Sequence, residues 1–202
     1  MISENKKALI LVDIQNDFIK GGSLEVKNGD EVIEVANKLM SEFDCVIATQ
    51  DWHPKNHKSF ASNNNKNIGD IIELNDLIQF MWPDHCIQNT FGSELAKKLN
   101  TEKIEKIIYK GTDIEIDSYS GFFDNGHLKA TELDSYLKKQ NITELYIMGL
   151  ATDYCVKFTA IDAVDLGYST YLIKDGCRGV EINEGDIERS LKEMQEKGIK
   201  II

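Results

Sequence analysis

The sequence predicts a single α/β domain, residues 1–202, with a three-layer αβα architecture around a central six-stranded parallel sheet. Six apolar runs of strand length alternate with segments in which apolar residues recur at helical spacing. Such alternation is typical of parallel strands joined by right-handed helical crossovers. The length also fits one domain with a large core, and no internal repeat divides the sequence.

Three apolar runs predict the first half of the sheet. Residues 8–12 are continuously apolar, as in a strand buried on both faces, and residues 45–49 and 104–109 supply the second and third strands. Residues 30–42 carry an apolar stripe at helical spacing, and residues 93–99 suggest a short helix before the third strand.

The second half of the sequence continues the alternation. Gly149 ends the fourth apolar run, and apolar residues then resume at helical spacing from Val156. Thr131 is a suitable N-cap for the helix that precedes this run. In order, the predicted elements are a helix at 131–140, a strand at 145–148, a helix from 156, a strand at 168–173, a helix at 184–197 and a strand at 199–202.

Residues from about 54 to 90 are predicted to form an insertion or lid. The segment contains an Asn-rich polar stretch at 62–67 and short apolar clusters at 71–80. Neither part shows a clear sheet strand, and long irregular segments of this kind are often functional.

The composition favours a cytoplasmic protein with a small-molecule partner. Thirty-four acidic against 23 basic residues give a net charge of −11, which argues against nucleic acid or an anionic membrane as a partner. No apolar run is long enough for a membrane span or a signal peptide. The four cysteines form no CxxC or CxxH pair, so we expect reduced thiols. Whether the protein forms a homo-oligomer is left open by the sequence.

Three reactive side chains close predicted strands. Asp13 follows the first strand, Lys110 follows the third, and Cys155 lies where the fourth strand turns into a helix. A helix N-terminus stabilises a thiolate and can hold an oxyanion, so it is a suitable place for a nucleophilic cysteine. Taken singly, the three could be a strand-end cap, a solvated lysine and a small buried hydrophobe. Because parallel strands end at one edge of a sheet, we expect them to meet there.

A candidate metal site follows the second strand. Asp51 and His53 are separated by one residue of extended chain, so their side chains share a face and can bind one ion. Such a pair occurs by chance in many loops, and His85 is the candidate for the third ligand that a metal site needs. His57 is nearer in sequence, but a solvated loop histidine is the better interpretation.

Five segments carry motifs: residues 12–18 (VDIQNDF), 49–54 (TQDWHP), 82–86 (WPDHC), 109–111 (YKG) and 149–156 (GLATDYCV). In this order they resemble the isochorismatase-like cysteine hydrolases and, within that superfamily, the nicotinamidases. The resemblance extends over essentially the whole chain, and the last segment is the most specific. Many other members of the superfamily lack the D-x-H pair and the later histidine.

The resemblance implies an isochorismatase-like hydrolase fold, a catalytic triad and one divalent metal ion. The implied triad is Asp13, Lys110 and Cys155. The implied metal ligands are Asp51, His53 and His85. Zinc is the first expectation for the ion, although manganese and iron also accept this ligand set. Some nicotinamidases take a fourth ligand from the loop in which His57 and Ser59 lie, and that assignment stays open here.

The resemblance also implies a substrate and a reaction. The substrate would be nicotinamide, hydrolysed to nicotinate and ammonia through a cysteine thioester, in NAD salvage. The N–H groups of Ala151 and Cys155 would form the oxyanion hole, with a non-proline cis peptide before Ala151. Phe18, Trp82 and Tyr119 would contact the pyridine ring. Phe122 and Phe123 are also available to line a pocket.

Other functions remain open from the sequence. A related cysteine amidohydrolase could act on another small amide with a vestigial metal site. A redox-active thiol protein would need an accessible resolving cysteine, and no local motif pairs one with Cys155. A binding module without chemistry would have no need of the complete set of Asp13, Lys110 and Cys155.

Overall fold

A computed structural model describes residues 6–202 and contains a six-stranded sheet and a separate two-stranded sheet. The strands are β1 (Lys6–Val12), β2 (Cys45–Asp51), β3 (Ile71–Leu74), β4 (Leu77–Phe80), β5 (Lys106–Lys110), β6 (Ile142–Leu150), β7 (Ser169–Arg178) and β8 (Lys200–Ile201). In the large sheet they lie in the order β5, β2, β1, β6, β7, β8, and each neighbouring pair is parallel. The predicted fold class is therefore confirmed.

Helices cover the sheet at α1 (Val32–Leu39), α2 (Leu133–Lys139), α3 (Lys157–Asp165) and α4 (Asp186–Glu196). The step from β1 to β2 and the step from β6 to β7 run in opposite directions, so right-handed crossovers place α1 and α3 on opposite faces. The change of direction falls between β1 and β6. The crevice beyond such a pair of strand ends is the usual ligand site of an open α/β sheet. Among residues 6–202, no helix combines the length and the apolar character that crossing a bilayer requires.

At Gly149 the backbone of β6 leaves no room for a side chain against β1. Every residue from Ala8 to Val12 has zero exposure, because β2 and β6 flank the strand and helices cover both faces of the sheet. Gly149 on β6 has φ 128°, and a Cβ atom there would lie 2.1 Å from the carbonyl oxygen of Val12. A side chain at this position would push apart the two strands that lead to Asp13 and Cys155.

The predicted insertion contains an antiparallel hairpin that we did not predict. Strands β3 and β4 pair through a two-residue turn, Asn75 and Asp76, with φ values of 52° and 62°. Two consecutive left-handed residues match the twist of a hairpin, and Asn and Asp tolerate this conformation better than most residues. The hairpin leads directly into the segment that carries Trp82 and His85.

Residues 93–99 do not form the predicted helix. The N–H of Asn16 donates to the carbonyl of Glu94 at 3.0 Å, and the N–H of Ala96 donates to the carbonyl of Ile14 at 2.8 Å. These bonds join the segment to the chain that follows β1 and replace the bonds of a helix. The apolar spacing in the sequence did not distinguish the two arrangements, because either buries the same side chains.

Candidate active site and metal centre

Four ionisable side chains meet at the carboxyl edge of four neighbouring strands. Lys110 ends β5, Asp51 ends β2, Asp13 follows β1, and Cys155 lies beyond the end of β6. Adjacent strands are about 4.8 Å apart, so side chains at successive strand ends can touch. The structure thus brings the three residues of the predicted triad together with the first predicted metal ligand.

Lys110 lies at the centre of this cluster. Its Nζ is 2.9 Å from Asp13 Oδ2 and 3.3 Å from Cys155 Sγ. It also donates to Asp51 and, at 2.9 Å, to the carbonyl oxygen of Ser118. Full burial favours the neutral amine, but the two carboxylates outweigh it and raise the pKa of Lys110 well above its ordinary value. Lys110 is therefore a buried ammonium ion at neutral pH, and not a solvated strand-end lysine.

Burial sets the protonation of Asp13 and Cys155. It raises the pKa of Asp13 to about 6, although Lys110 opposes the shift. It also raises the pKa of the Cys155 thiol well above its ordinary value, and Lys110 opposes that shift without reversing it. Ligand atoms of Asp13 and Cys155 lie within 4.8 Å of each other, and Asp13 accepts the hydroxyl of Thr49 at 2.5 Å. At neutral pH an ionised Asp13 thus faces a protonated Cys155 and can take its proton.

Cys155 lies in an irregular turn between β6 and α3. The turn spans Thr152–Val156, and Tyr154 within it has φ −126° and ψ −105°, outside the helical range. Because α3 begins just after the turn, Cys155 is close to the unpaired N–H groups of a helix N-terminus. The peptide bond between Leu150 and Ala151 is cis, as the resemblance implied.

Two imidazoles and a carboxylate form the second half of the site. Asp51, His53 and His85 are buried, and their ligand atoms lie within 4.8 Å of one another. The Nε2 atoms of His53 and His85 are 3.7 Å and 3.8 Å from the same oxygen, Asp51 Oδ2. Burial lowers the pKa of His85 to about 4, whereas Asp51 outweighs burial at His53 and raises its pKa. All three predicted metal ligands therefore converge.

The hydrogen bonds of both imidazoles suit a metal ion. Nδ1 of His53 lies 2.9 Å from the carbonyl oxygen of Gly111, and Nδ1 of His85 lies 2.7 Å from that of Pro83. A carbonyl only accepts, so each neutral imidazole leaves Nε2 free to bind a cation. Within residues 6–202, the buried Nε2 of His53 has no hydrogen-bond partner, which a cation would supply. Gly111, with φ 62°, gives the ring room, since a Cβ would lie 2.4 Å from it.

His57 is buried, so its interpretation as a solvated loop histidine was wrong. Its ring centroid is 4.4 Å from that of His53, and its Nδ1 lies 2.7 Å from Ser59 Oγ. Ligand atoms of His57, His53 and Asp117 lie within 4.8 Å of one another. The loop folds back over the end of β2, and the fully buried Phe60 packs against the ring. His57 and Asp117 therefore border the cluster of candidate metal ligands, and no sequence pattern pointed to Asp117.

Gln15 is a positioning residue that the sequence analysis missed. Its side-chain amide pairs with the backbone of Asp51 as a neighbouring strand would. Oε1 accepts the N–H of Asp51 at 2.8 Å, and Nε2 donates to its carbonyl at 2.8 Å. Nε2 also donates to the carbonyl of Ser93 at 2.8 Å. Gln15 is fully buried, so these bonds hold a predicted metal ligand in place.

Replacing Gln15 with Leu should weaken binding of a divalent metal by about 10- to 100-fold. Leu has a similar volume but leaves the buried peptide groups of Asp51 without partners, so the carboxylate is no longer fixed. Competition with a zinc-sensitive dye measures the affinity. Gln50→Leu is the matched control, because Gln50 donates to the same Ser93 carbonyl at 2.6 Å without bonding to Asp51. Equal zinc affinity in the Gln15 and Gln50 variants would contradict the positioning role.

An aromatic pocket lies over the reactive groups. Cys155, His85 and Asp51 line its floor, together with Ala151 and Asp117. The three predicted aromatic contacts line its walls, and Tyr154, which we did not predict, joins them. The wall-forming aromatic residues are Phe18, Trp82, Tyr119 and Tyr154.

Phe122 does not line this pocket. It is 1% exposed and stacks on Tyr168 in the core. Phe123 stacks on His127 instead. The sequence could not separate these rings from Tyr119, because all three lie in one loop with no periodic pattern.

Comparisons with known proteins agree with this geometry. The isochorismatase domain family matches residues 7–202. The nicotinamidase of Escherichia coli (strain K12) is 48% identical over 196 residues, which are 95% of this chain and 92% of that protein. The yeast nicotinamidase bound to the inhibitor nicotinaldehyde has a TM-score of 0.92 at 35% identity and covers 97% of this chain and 99% of its own. The pyrazinamidase of Pyrococcus horikoshii in complex with zinc has a TM-score of 0.80 at 37% identity and covers 98% of each chain.

These likenesses span nearly the whole chain and include both the sheet and its loops. The chain therefore belongs to the isochorismatase family and, within it, to the nicotinamidases, which are amidohydrolases.

Proposed function

We propose that the chain is a metal-dependent nicotinamidase that hydrolyses nicotinamide to nicotinate and ammonia through a thioester on Cys155. The observation that carries the proposal is the contact of Lys110 with both Asp13 and Cys155, beneath the aromatic pocket and beside the His–Asp cluster. The raised pKa of Cys155 argues against a redox sensor, because sensor thiols are usually thiolates.

In the first half-reaction, Asp13 is the general base. It takes the thiol proton while Cys155 Sγ attacks the amide carbon, so a C–S bond forms and charge moves to the carbonyl oxygen. The N–H groups of Ala151 and Cys155 are the proposed donors to that oxyanion. As the intermediate collapses, Asp13 returns its proton to the nitrogen, the C–N bond breaks, and ammonia leaves.

In the second half-reaction, the same carboxylate works on water. Asp13 takes one proton from a water molecule whose oxygen attacks the thioester carbon. The C–S bond then breaks, the proton on Asp13 returns to Cys155 sulfur, and the nicotinic acid that forms loses its remaining proton to solvent to give nicotinate. Asp13 is thus regenerated as a carboxylate, which matches a base whose pKa lies near 6.

Lys110 supplies the fixed positive charge in both halves. Its Nζ reaches Asp13 Oδ2 and Cys155 Sγ, so it stabilises negative charge on whichever of the two is unprotonated. It also donates to Asp51, which links the triad to the metal cluster.

The cluster of Asp51, His53 and His85 is the proposed site of one divalent ion, with zinc as the first choice. When bound, the ion supplies open coordination positions that can hold water and the pyridine nitrogen of the substrate. The rings of Phe18, Trp82 and Tyr119 then hold the flat pyridine above Cys155.

Removing the metal should raise KM for nicotinamide and lower kcat/KM by about 10- to 100-fold or more, because ligands and their supports are typically worth that much. Cys155 should still react with iodoacetamide at a similar rate, since Asp13 and Lys110 are intact. The same outcome is expected for His85→Ala. Elemental analysis, steady-state kinetics and peptide mass mapping measure the three quantities.

His127→Ala is the control for the loss of a histidine. Its side chain is 59% exposed and lies outside the cluster. Full nicotinamide hydrolysis by protein that holds no transition metal would contradict the proposed role of the metal in substrate binding. Slow alkylation of Cys155 in the stripped protein would show that the ion supports the nucleophile directly.

Ammonia release separates the proposal from its alternative, a cysteine amidohydrolase for another small amide. Benzamide is the informative competitor, because it matches nicotinamide in shape and lacks only the ring nitrogen. We expect nicotinamide to be strongly preferred and the preference to shrink when the metal is removed. Turnover of other small amides without turnover of nicotinamide would establish the alternative.

The proposal includes a role in NAD salvage and a cytoplasmic location. The four cysteines, all free, support a reducing compartment. The product nicotinate is the form in which the ring would re-enter the synthesis of the dinucleotide.

A further inference from the structure

A second cavity lies next to the aromatic pocket, and two tyrosine residues stand between them. We name this second cavity the outer groove; it has a volume of about 480 Å³, and its walls include Ile71, Ile78, Phe158 and Arg189. Tyr119 and Tyr154 line both spaces. A volume of 480 Å³ is in the range of small-molecule sites, so the groove could hold a ring-sized group.

The two dividing rings differ in how firmly they are held. The hydroxyl of Tyr119 accepts the indole N–H of Trp82 at 3.0 Å, and the backbone N–H of Tyr119 donates to Asn125 Oδ1 at 2.9 Å. Within the described residues, no hydrogen bond holds the hydroxyl of Tyr154. Its ring rests on Trp82 and Tyr119, with centroid distances of 4.9 Å and 5.4 Å.

Tyr154 lines the aromatic pocket next to Cys155, so its ring limits the space available to a bound substrate. It precedes Cys155 in the turn, and its non-helical backbone angles aim the side chain differently from a regular helix. Any substituent on a substrate that points away from Cys155 toward the outer groove would collide with this ring. Among the described residues, Tyr119 and Tyr154 are the two that line both spaces, so they form the wall between the pocket and the groove.

We propose that Tyr154 is a specificity-determining residue, whose ring confines the pocket to small, flat carboxamides and excludes ring-substituted ones that would extend into the outer groove. The inference deepens the proposed nicotinamidase function and rests on it for the identity of the substrate. The exclusion is steric, so removing the ring should gain activity on larger amides instead of only losing activity on small ones.

The kinetic test compares nicotinamide with 5-phenylnicotinamide and 6-phenylnicotinamide in the wild-type protein and in Tyr154→Ala. We expect the ratio of kcat/KM for at least one phenyl compound to that for nicotinamide to rise about tenfold or more, chiefly through a lower KM for the phenyl compound. Tyr154→Phe keeps the ring and should keep the wild-type ratio.

A second test does not depend on the enzyme's substrate. Iodoacetamide and iodoacetanilide alkylate the same thiol but differ by a phenyl group, and mass mapping reports the rate at Cys155. In wild-type protein we expect the larger reagent to be much slower. In Tyr154→Ala the ratio of the iodoacetamide rate to the iodoacetanilide rate should fall by about tenfold, because the pocket wall is open.

Phe158→Ala is the matched control in both tests. Phe158 lines the outer groove and stacks on Tyr119 at 5.5 Å, but it does not line the aromatic pocket. It should enlarge the groove without opening the wall, so both ratios should stay at their wild-type values.

The outcomes separate the two ideas. If wild-type protein releases no ammonia from nicotinamide, the proposed function fails, and the alkylation ratio still decides the role of Tyr154. Unchanged ratios in a folded Tyr154→Ala protein would overturn the inference. An equal change in Phe158→Ala would also overturn it, since general loosening of the groove would then explain the effect.

Discussion

Replacing Cys155 with Ala should reduce nicotinamide hydrolysis by about 10⁴-fold or more, the scale of losing a covalent nucleophile. Asp13 and Lys110 stay in place but do not replace the thiol as nucleophile, so only direct attack of water on the amide remains. Ala fits the space of the thiol, and the side chain lies in a turn beyond β6, so the fold should persist. Activity is measured as ammonia release, and circular dichroism checks the fold.

Cys45→Ser is the control for this substitution. Cys45 is a buried thiol at the start of β2, at the opposite edge of the sheet from the site. A serine there costs some stability because its hydroxyl is buried, but the reactive groups remain in place. Retention of a tenth of wild-type kcat in Cys155→Ala would rule out the thioester route.

Asp13→Asn should lower kcat by about 10³-fold, within the range for removing a general base. The amide keeps the shape of the carboxylate and can still accept the hydroxyl of Thr49. It cannot take a proton from Cys155. With its oxygen placed to accept from Thr49, its NH₂ group faces the ammonium of Lys110, which has no acceptor to offer. The buried ammonium also loses one of its two counter-charges, so we expect a lower Tm.

The double variant of Asp13 and Cys155 tests whether the two groups act together. If they share one proton relay, the double variant should be no slower than Cys155→Ala alone. In the wild-type protein, kcat/KM should fall as the pH drops through about 6, because protonated Asp13 is no longer a base. A double variant much slower than either single variant would show that the two act independently.

The fold could be predicted because the sheet is buried on both faces. Residues such as Ile10 and Ile147 have no exposure, and continuous apolar runs of this kind have few interpretations other than central parallel strands. The hairpin of β3 and β4 escaped prediction because its exposed positions, Ile71 and Ile78, break the alternation that marks a half-buried strand.

The candidate site could be predicted where a side chain follows a strand. Asp13, Lys110 and Cys155 are in that position, and the sheet order converts it into contact. Gln15 could not be found in this way, because its role depends on bonds to the backbone of Asp51, which no side-chain pattern records. Burial of His57 escaped for a similar reason, since it depends on how an irregular loop folds back.

The sheet order also has a consequence for how the molecule folds. Lys110 is 59 residues from Asp51 and 45 from Cys155, and each contact closes a long stretch of chain. Long-range parallel pairing carries a high contact order and is slow to form. Until β5, β2, β1 and β6 are all paired, Lys110 lacks at least one of its contacts with Asp51, Asp13 and Cys155. The apolar edges of the central strands also stay open to aggregation during that time. During refolding, catalytic activity should therefore return later than the helical circular dichroism signal. The time at which activity returns then marks the pairing of the last strand.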